Sequence, residues 1–233
     1  MPRRTSLTTS DWLILIDIDG TLMTTAGIGP VLMKRAADQA LDANLSFERV
    51  DFSGNLDPLI VAEAARHADH PWDEQQHGRF RAAYADTVRD WLRTTPPTLL
   101  PGAHNLVNQL AEASIPRGLL TGNYPETAQL KIDASGLDFN TFTASAFGSD
   151  GPDRPALVRK ARQRHTHDVP DANVVVIGDT PRDVHCARAN NCTALAVTTG
   201  RFSHEDLADA GADHVMDSLD EAIVILADLG APL

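Results

Sequence analysis

The sequence predicts an α/β fold: a doubly wound, Rossmann-like parallel sheet with an all-helical cap inserted after its first strand. Two observations carry that expectation. Short, dense apolar runs such as "LILI" (13–16) and "VVVIG" (174–178) alternate with amphipathic helical segments along the C-terminal part of the chain, the pattern of β-α units in a parallel sheet covered on both faces. Between the first and second runs, residues 24–93 show helical periodicity and no strand pattern.

The elements follow in order. Residues 12–18 read as a fully buried strand ended by Gly20. In the insert, "PVLMKRAADQAL" opens at Pro30, a favoured first-turn residue, and "DPLIVAEAARHA" opens at Asp57 as a cap with Pro58 behind it. In "GRFRAAYADTVRDWL", Phe80, Tyr84, Val88 and Trp91 fall on one helical face, expected to be the core of the insert. "TTPPTLLPG" (94–102) reads as a loop. A helix at 102–113, a strand at 117–121, a helix at 125–135, a strand near 141–147 and a helix at 155–165 come next. The chain then continues as strand 173–179, helix 181–190, strand 193–199, helix 203–210, strand 213–216 and a last helix from about 218. The expected division is a core of 1–22 and 99–233 with a cap of 23–98.

Composition narrows the function classes. The 233 residues carry a formal net charge of −12 and a pI of about 5.0, which argues against nucleic acid, whose phosphates demand a basic face. A small anionic substrate needs only a local positive site. Lys34, Lys131 and Lys160 are the only lysines. Cys186 and Cys192 are too few for a disulfide framework and not at metal-site spacing, so a reducing, cytoplasmic setting is expected. "MPRRTSLTTSDW" does not read as a secretory signal, and no apolar window is long enough for a membrane span.

In a parallel sheet, ligands bind beyond the carboxyl ends of the strands. The polar residues expected there are Asp17, Asp19, Gly20 and Thr21 after the first strand, and Thr121, Gly122 and Asn123 after the second. Asp179, Thr180 and Asp183 follow "VVVIG". Carboxylates gathered at one sheet edge repel one another unless a cation sits among them, and an all-oxygen set suits Mg²⁺.

"DIDGTL", "LLTGN" and "VIGDTPRD", in that order, resemble the motifs of the haloacid dehalogenase superfamily, and the helical insert resembles its type-1 cap. The layout is similar to the phosphoglycolate phosphatase and β-phosphoglucomutase subgroup. The resemblance implies a Mg²⁺-dependent phosphatase acting on a small phosphorylated metabolite. Asp17 would attack phosphorus to form an aspartyl-phosphate, and Asp19 would protonate the leaving alcohol and then activate water. Mg²⁺ would be held by Asp17, the Asp19 main-chain carbonyl and Asp179, with Asp183 assisting. Gly20, Thr21, Thr121, Gly122 and Asn123 would meet the phosphoryl group, and Gly54 in "SGNLDPLI" would face it from the cap beside Asn55 and Asp57. Thr180 and Asn123 are equally suited to capping helices.

One departure stands out. Relatives carry a lysine in the third motif, where this chain has Arg154 before Pro155. Arg154 is assigned the role of neutralising Asp17 and phosphate, with Lys160 as the fallback; Lys131 is expected on a helix surface. His67, His70 and His77 are expected at the surface. A sugar-phosphate mutase, or a metal-binding module with weak or lost turnover, are the alternatives. Asp19 disfavours dehalogenation, and Lys34, the one cap lysine, leaves phosphonate hydrolysis little support. Monomer and homodimer are both open.

Overall fold

The computed structural model describes residues 8–41 and 43–233. The N-terminal stretch "MPRRTSLTTSDW", expected not to be a secretory signal, lies mostly outside the described residues. Strand β1 (Leu13–Ile16) is followed by β2 (Met23–Thr24), then helices α1 (Gly29–Ala40), α2 (Asp57–His67) and α3 (Glu74–Leu92), and β3 (Thr98–Leu99). After these come α4 (Ala103–Glu112), β4 (Arg117–Leu119), α5 (Pro125–Ala134), α6 (Arg154–Arg164) and β5 (Val174–Gly178). The chain ends through α7 (Pro181–Arg188), β6 (Thr193–Val197), α8 (His204–Asp209), β7 (His214–Met216) and α9 (Asp220–Asp228).

Five strands form one parallel sheet in the order β4-β1-β5-β6-β7, with Ile16 opposite both Leu119 and Ile177. β1 is an interior strand, and both of its faces are apolar. Ile14 and Ile16 pack with α4, α5 and α9, while Leu13 and Leu15 pack with α6 and α7. That split is the period-two alternation of a strand buried on both sides. The strand leaves the core at Asp17, on the sheet edge where β5 also ends.

The helices start where local chemistry starts them. Asp73 caps α3 through the Gln76 N–H (2.8 Å), and Asp153 caps α6 through Ala156 (2.8 Å). Pro30, Pro58, Pro125, Pro155 and Pro181 each occupy a first-turn position. Helices α1, α2 and α3 form a third apolar cluster around Met33, Ile60, Phe80, Tyr84 and Val88, and Tyr124 at the start of α5 joins it. α5 therefore faces both the sheet and the helical insert.

Two expectations are corrected. The loop at 94–102 contains β3, which pairs antiparallel with β2, so the segments leading out to the insert and back are hydrogen-bonded together. Residues 141–147 run beside β4 without becoming a strand: the Leu119 N–H is taken by Ser145 Oγ (2.9 Å) rather than by a carbonyl. An isolated Leu120–Ala146 bridge remains of the pairing, with backbone hydrogen bonds from Ala144 to Arg117, from Ala146 to Leu119 and from Thr121 to Ala146. No helix among the described residues is long and apolar enough to cross a membrane.

Candidate active site

The carboxyl ends of β1, β4 and β5 open into a cavity of about 460 Å³, roofed by the helical insert. Asp17 stands one residue past β1 and is 4% exposed. Oxygen atoms of Asp17, Asp179 and Asp183 lie within 4.8 Å of one another. Burial pushes Asp17 above the usual carboxylate range, against the pull of Arg154. Burial, with Asp17 and Asp183 nearby, pushes Asp179 up to about 8. Buried carboxylates so close together are an electrostatic debt that a hard divalent cation would relieve; the oxygen donor set fits one.

Arg154, the first residue of α6, supplies the protein's own compensation. Its Nη2 lies 3.0 Å from Asp17 Oδ1 and 2.6 Å from Asp183 Oδ1, and it donates to the Leu120 carbonyl at 3.1 Å. Nη1 donates to the Gly54 carbonyl in the insert at 3.0 Å. A planar guanidinium can address these partners at once, whereas an ammonium is a single point. Lys160, the fallback, does not line the cavity.

Asp183 has both carboxylate oxygens engaged. Oδ1 meets Arg154, while Oδ2 accepts from the Thr180 N–H (3.1 Å) and Oγ1 (2.6 Å) in the capping box that starts α7. Thr180 is thus a helix cap that also lines the cavity. Thr21, expected at phosphate, is fully buried and donates to Asp179 Oδ1 at 3.0 Å; it does not line the cavity. Gly20, at φ +88°, lies so close under Asp179 that a Cβ would collide with its carboxylate.

Asp19 points away from Asp17, toward β4 and α5. Its Oδ2 accepts from Lys131 Nζ at 2.7 Å and Asn123 Nδ2 at 2.8 Å, and Oδ1 accepts from Thr25 Oγ1 at 3.3 Å. Burial pushes Asp19 up, but Lys131, Asn123 and Thr25 together hold it below the usual range. Lys131 is therefore not the surface residue expected: it is 7% exposed and lines the cavity. Its position on a helical face with buried Thr127 and Ala128, one turn back, was the available signal. Asn123 does not cap a helix, since Tyr124 holds the cap position of α5. Its amide instead ties Asp19 to Thr121 Oγ1 (2.7 Å). Thr121 and Gly122 line the cavity.

The roof meets this floor at a narrow seam. Gly54 has φ +62°, and a Cβ there would come 2.5 Å from Thr180 Oγ1. The Asp57 N–H donates to the Gly122 carbonyl (2.8 Å), and its carboxylate accepts from the Tyr124 N–H (3.2 Å). Burial pushes Asp57 up to about 7, with Lys131 and the Tyr124 bond opposing. Tyr84, expected only as core of the insert, also lines the cavity. His67 is exposed, His70 is half-buried, and His77 is half-buried with Nε2 2.8 Å from the Tyr124 hydroxyl. Lys34 pairs with Asp38 one helical turn away and does not line the cavity.

Residues 14–188 match the family model of the haloacid dehalogenase-like hydrolases. A phosphoglycolate phosphatase of Photorhabdus laumondii is 26% identical over 226 residues, spanning 94% of this chain and 92% of its own. Among solved structures, CbbY from Rhodobacter sphaeroides in complex with phosphate superposes with a TM-score of 0.72 at 21% identity, over 90% of this chain and 95% of its own. A hydrolase from Pseudomonas syringae reaches 0.70 at 22% identity, over 93% of this chain and 98% of its own.

Proposed function

Since the chain belongs to the haloacid dehalogenase-like hydrolase family, we propose that it is a Mg²⁺-dependent phosphatase that cleaves a small phosphate monoester through an aspartyl-phosphate on Asp17. One observation carries the reading. Asp17 stands one residue past a buried strand, lines the cavity, and has Arg154 Nη2 at 3.0 Å to offset its charge. Asp17, Asp179 and the Asp19 main-chain carbonyl would hold Mg²⁺, with Asp183 behind them. Bound there, the ion would offset the repulsion between Asp17 and an anionic phosphate.

The rest is the work of the chain's own groups. Asp17 attacks phosphorus and the alkoxide leaves; Asp19 gives it a proton, then takes one from the water that hydrolyses the acyl phosphate. Lys131 favours the second half of that cycle by holding Asp19 ionised. An incoming phosphate adds negative charge beside Asp19 and pushes it back toward the protonated form needed first. Arg154, Thr121 and the backbone of Gly122 and Asn123 serve the phosphoryl oxygens. Residues 23–98 act as a cap, supported by the Arg154–Gly54 and Asp57–Tyr124 bonds across the seam. We further propose a small phosphorylated metabolite as partner, with the chain a monomer or homodimer, and a cytoplasmic location, supported by two free, buried thiols.

The test is hydrolysis of an aryl phosphate with Mg²⁺ and with a chelator. Turnover that disappears with the chelator and returns with Mg²⁺ is expected. Metal-independent turnover of equal rate would refute the reading.

A further inference from the structure

Granting the phosphatase reading, we propose that Asp57 and Tyr84 make this cavity select a leaving group that is uncharged, hydroxyl-bearing and partly apolar, and reject one that carries a carboxylate.

The cations of the cavity wall are all committed. Among the described residues, Lys131, Arg154 and Arg201 line it. Arg154 is held by Asp17 and Asp183, and Lys131 by Asp19 and the Asn123 amide oxygen (2.7 Å). Arg201 lies at the rim, with 65% of its side chain exposed, paired with Asp51 and over the Phe202 ring. A substrate carboxylate beyond the phosphate would find no unpaired cation inside the cavity, only the exposed and weakly paired Arg201 at the rim, and it would meet Asp57.

Asp57, like Asp179 on the floor, lacks such a partner, and it stands away from the cluster of Asp17, Asp179 and Asp183. It is 7% exposed and lines the cavity; among the described residues its carboxylate makes no ion pair and accepts one hydrogen bond, from the Tyr124 N–H. Asp51 has Arg182 and Arg201, Asp17 has Arg154, and Asp19 has Lys131. A buried carboxyl group with hydrogen-bonding capacity left over, facing a cavity, wants a polar neutral partner. A hydroxyl satisfies it as donor or acceptor. Tyr84, stacked on Phe80, sets a second hydroxyl in the same wall, and no hydrogen bond from the described residues engages it.

The roof also offers an apolar surface from Pro30, Met33, Phe52 and Ile60, with Thr24, Thr25, Ser53 and Asn55 as its polar edges. A cavity of about 460 Å³ also leaves ample space beyond a two-carbon acid. Polyols and sugars, with hydroxyl edges and C–H faces, fit this wall. The relative from Photorhabdus laumondii is a phosphoglycolate phosphatase, so on this reasoning the two proteins differ in leaving group.

The test compares three substrates at pH 8 with Mg²⁺: an aryl phosphate, glucitol 6-phosphate and phosphoglycolate. Wild type is expected to favour glucitol 6-phosphate over phosphoglycolate by at least ~30-fold in kcat/KM, within the range hydrogen-bonding sites achieve. Asp57→Asn keeps an acceptor for the Tyr124 N–H and is expected to shrink that ratio by at least ~10-fold, while Tyr84→Phe raises KM for the polyol substrate selectively. If Asp57→Asn does not fold, Tyr84→Phe carries the same readout. A phosphoglycolate rate equal to or above the polyol rate, or a ratio unchanged in both variants, overturns the inference. Absence of aryl phosphate turnover in wild type overturns the phosphatase reading, and the inference falls with it.

Discussion

The floor and the roof of the cavity are built by opposite rules. On the floor, polar groups stand just past strand ends, and Asp17, Asp19 and Asp183 each have a cation or capping partner within 3.1 Å. On the roof, helices present Pro30, Met33, Ile60 and Tyr84, and the one carboxylate, Asp57, has no cation. Strand ends are fixed by the sheet ladder, so a floor built on them is stiff and suited to chemistry that tolerates little displacement. Helical faces vary without disturbing the sheet, which suits a surface that chooses substrates. The difference teaches where to look for each property: rate in the floor, choice in the roof.

The sharpest way to break that contrast is to remove the attacking group. Asp17→Asn is expected to lower kcat/KM for an aryl phosphate by at least ~10³-fold, about 4 kcal/mol in the barrier, without loss of fold by circular dichroism. Next in size is Arg154→Ala, expected to cost at least ~100-fold, about 2.7 kcal/mol. It also lowers Tm, since Asp17 and Asp183 are then left buried without their cation. Arg154→Lys should recover charge but not the fork, and fall between the two; unchanged kinetics in Arg154→Ala would remove it from the floor.

At the seam, Gly54→Ala places a Cβ 2.5 Å from Thr180 Oγ1 at a φ of +62°. The expected penalty is about 2 kcal/mol, read as a rise in KM with kcat less affected, because the roof no longer seats. Lys131→Met should lower kcat by ~10-fold, about 1.4 kcal/mol, and leave thermal stability near wild type if Asn123 and Thr25 keep Asp19 in place.

How much of this was legible in the sequence depends on how the groups are brought together. Asp17, Asp19, Thr121, Asp179 and Asp183 sit next to apolar strands, so the strand pattern alone carries them to one edge. Arg154 was readable because it precedes a proline at a helix start. Asp57 was expected beside Gly54 on the cap side, but Lys131 and Tyr84 were not readable, because their cavity positions depend on how α5 and α3 pack against one another and against the sheet. Tyr84 matches a core residue in periodicity, and it is one; the cavity is simply on its other side. Residues 141–147 misled because β-forming composition was present while Ser145 supplied a side-chain acceptor that broke the ladder.

The smallest expected effect separates roof from floor by pH. Burial raises Asp57 to about 7, above its unfolded value near 3.9. The folded chain thus keeps a proton there that the unfolded chain has lost. Stability from this group is present at low pH and lost as pH rises through about 7. The Tm of Asp57→Asn relative to wild type should therefore increase between pH 6.5 and pH 8, by the equivalent of about 0.8 kcal/mol. A difference independent of pH would mean that Asp57 is ionised throughout this range in the folded protein, as it is in the unfolded chain.

The central claim is that Asp17 takes the phosphoryl group onto itself, and acid-quenched mass spectrometry tests it most directly. After mixing Asp19→Asn with aryl phosphate and Mg²⁺, the peptide containing Asp17 is expected to carry one phosphoryl group, lost on treatment with hydroxylamine. Turnover of the aryl phosphate with no adduct, or with the adduct on another residue, would contradict the account.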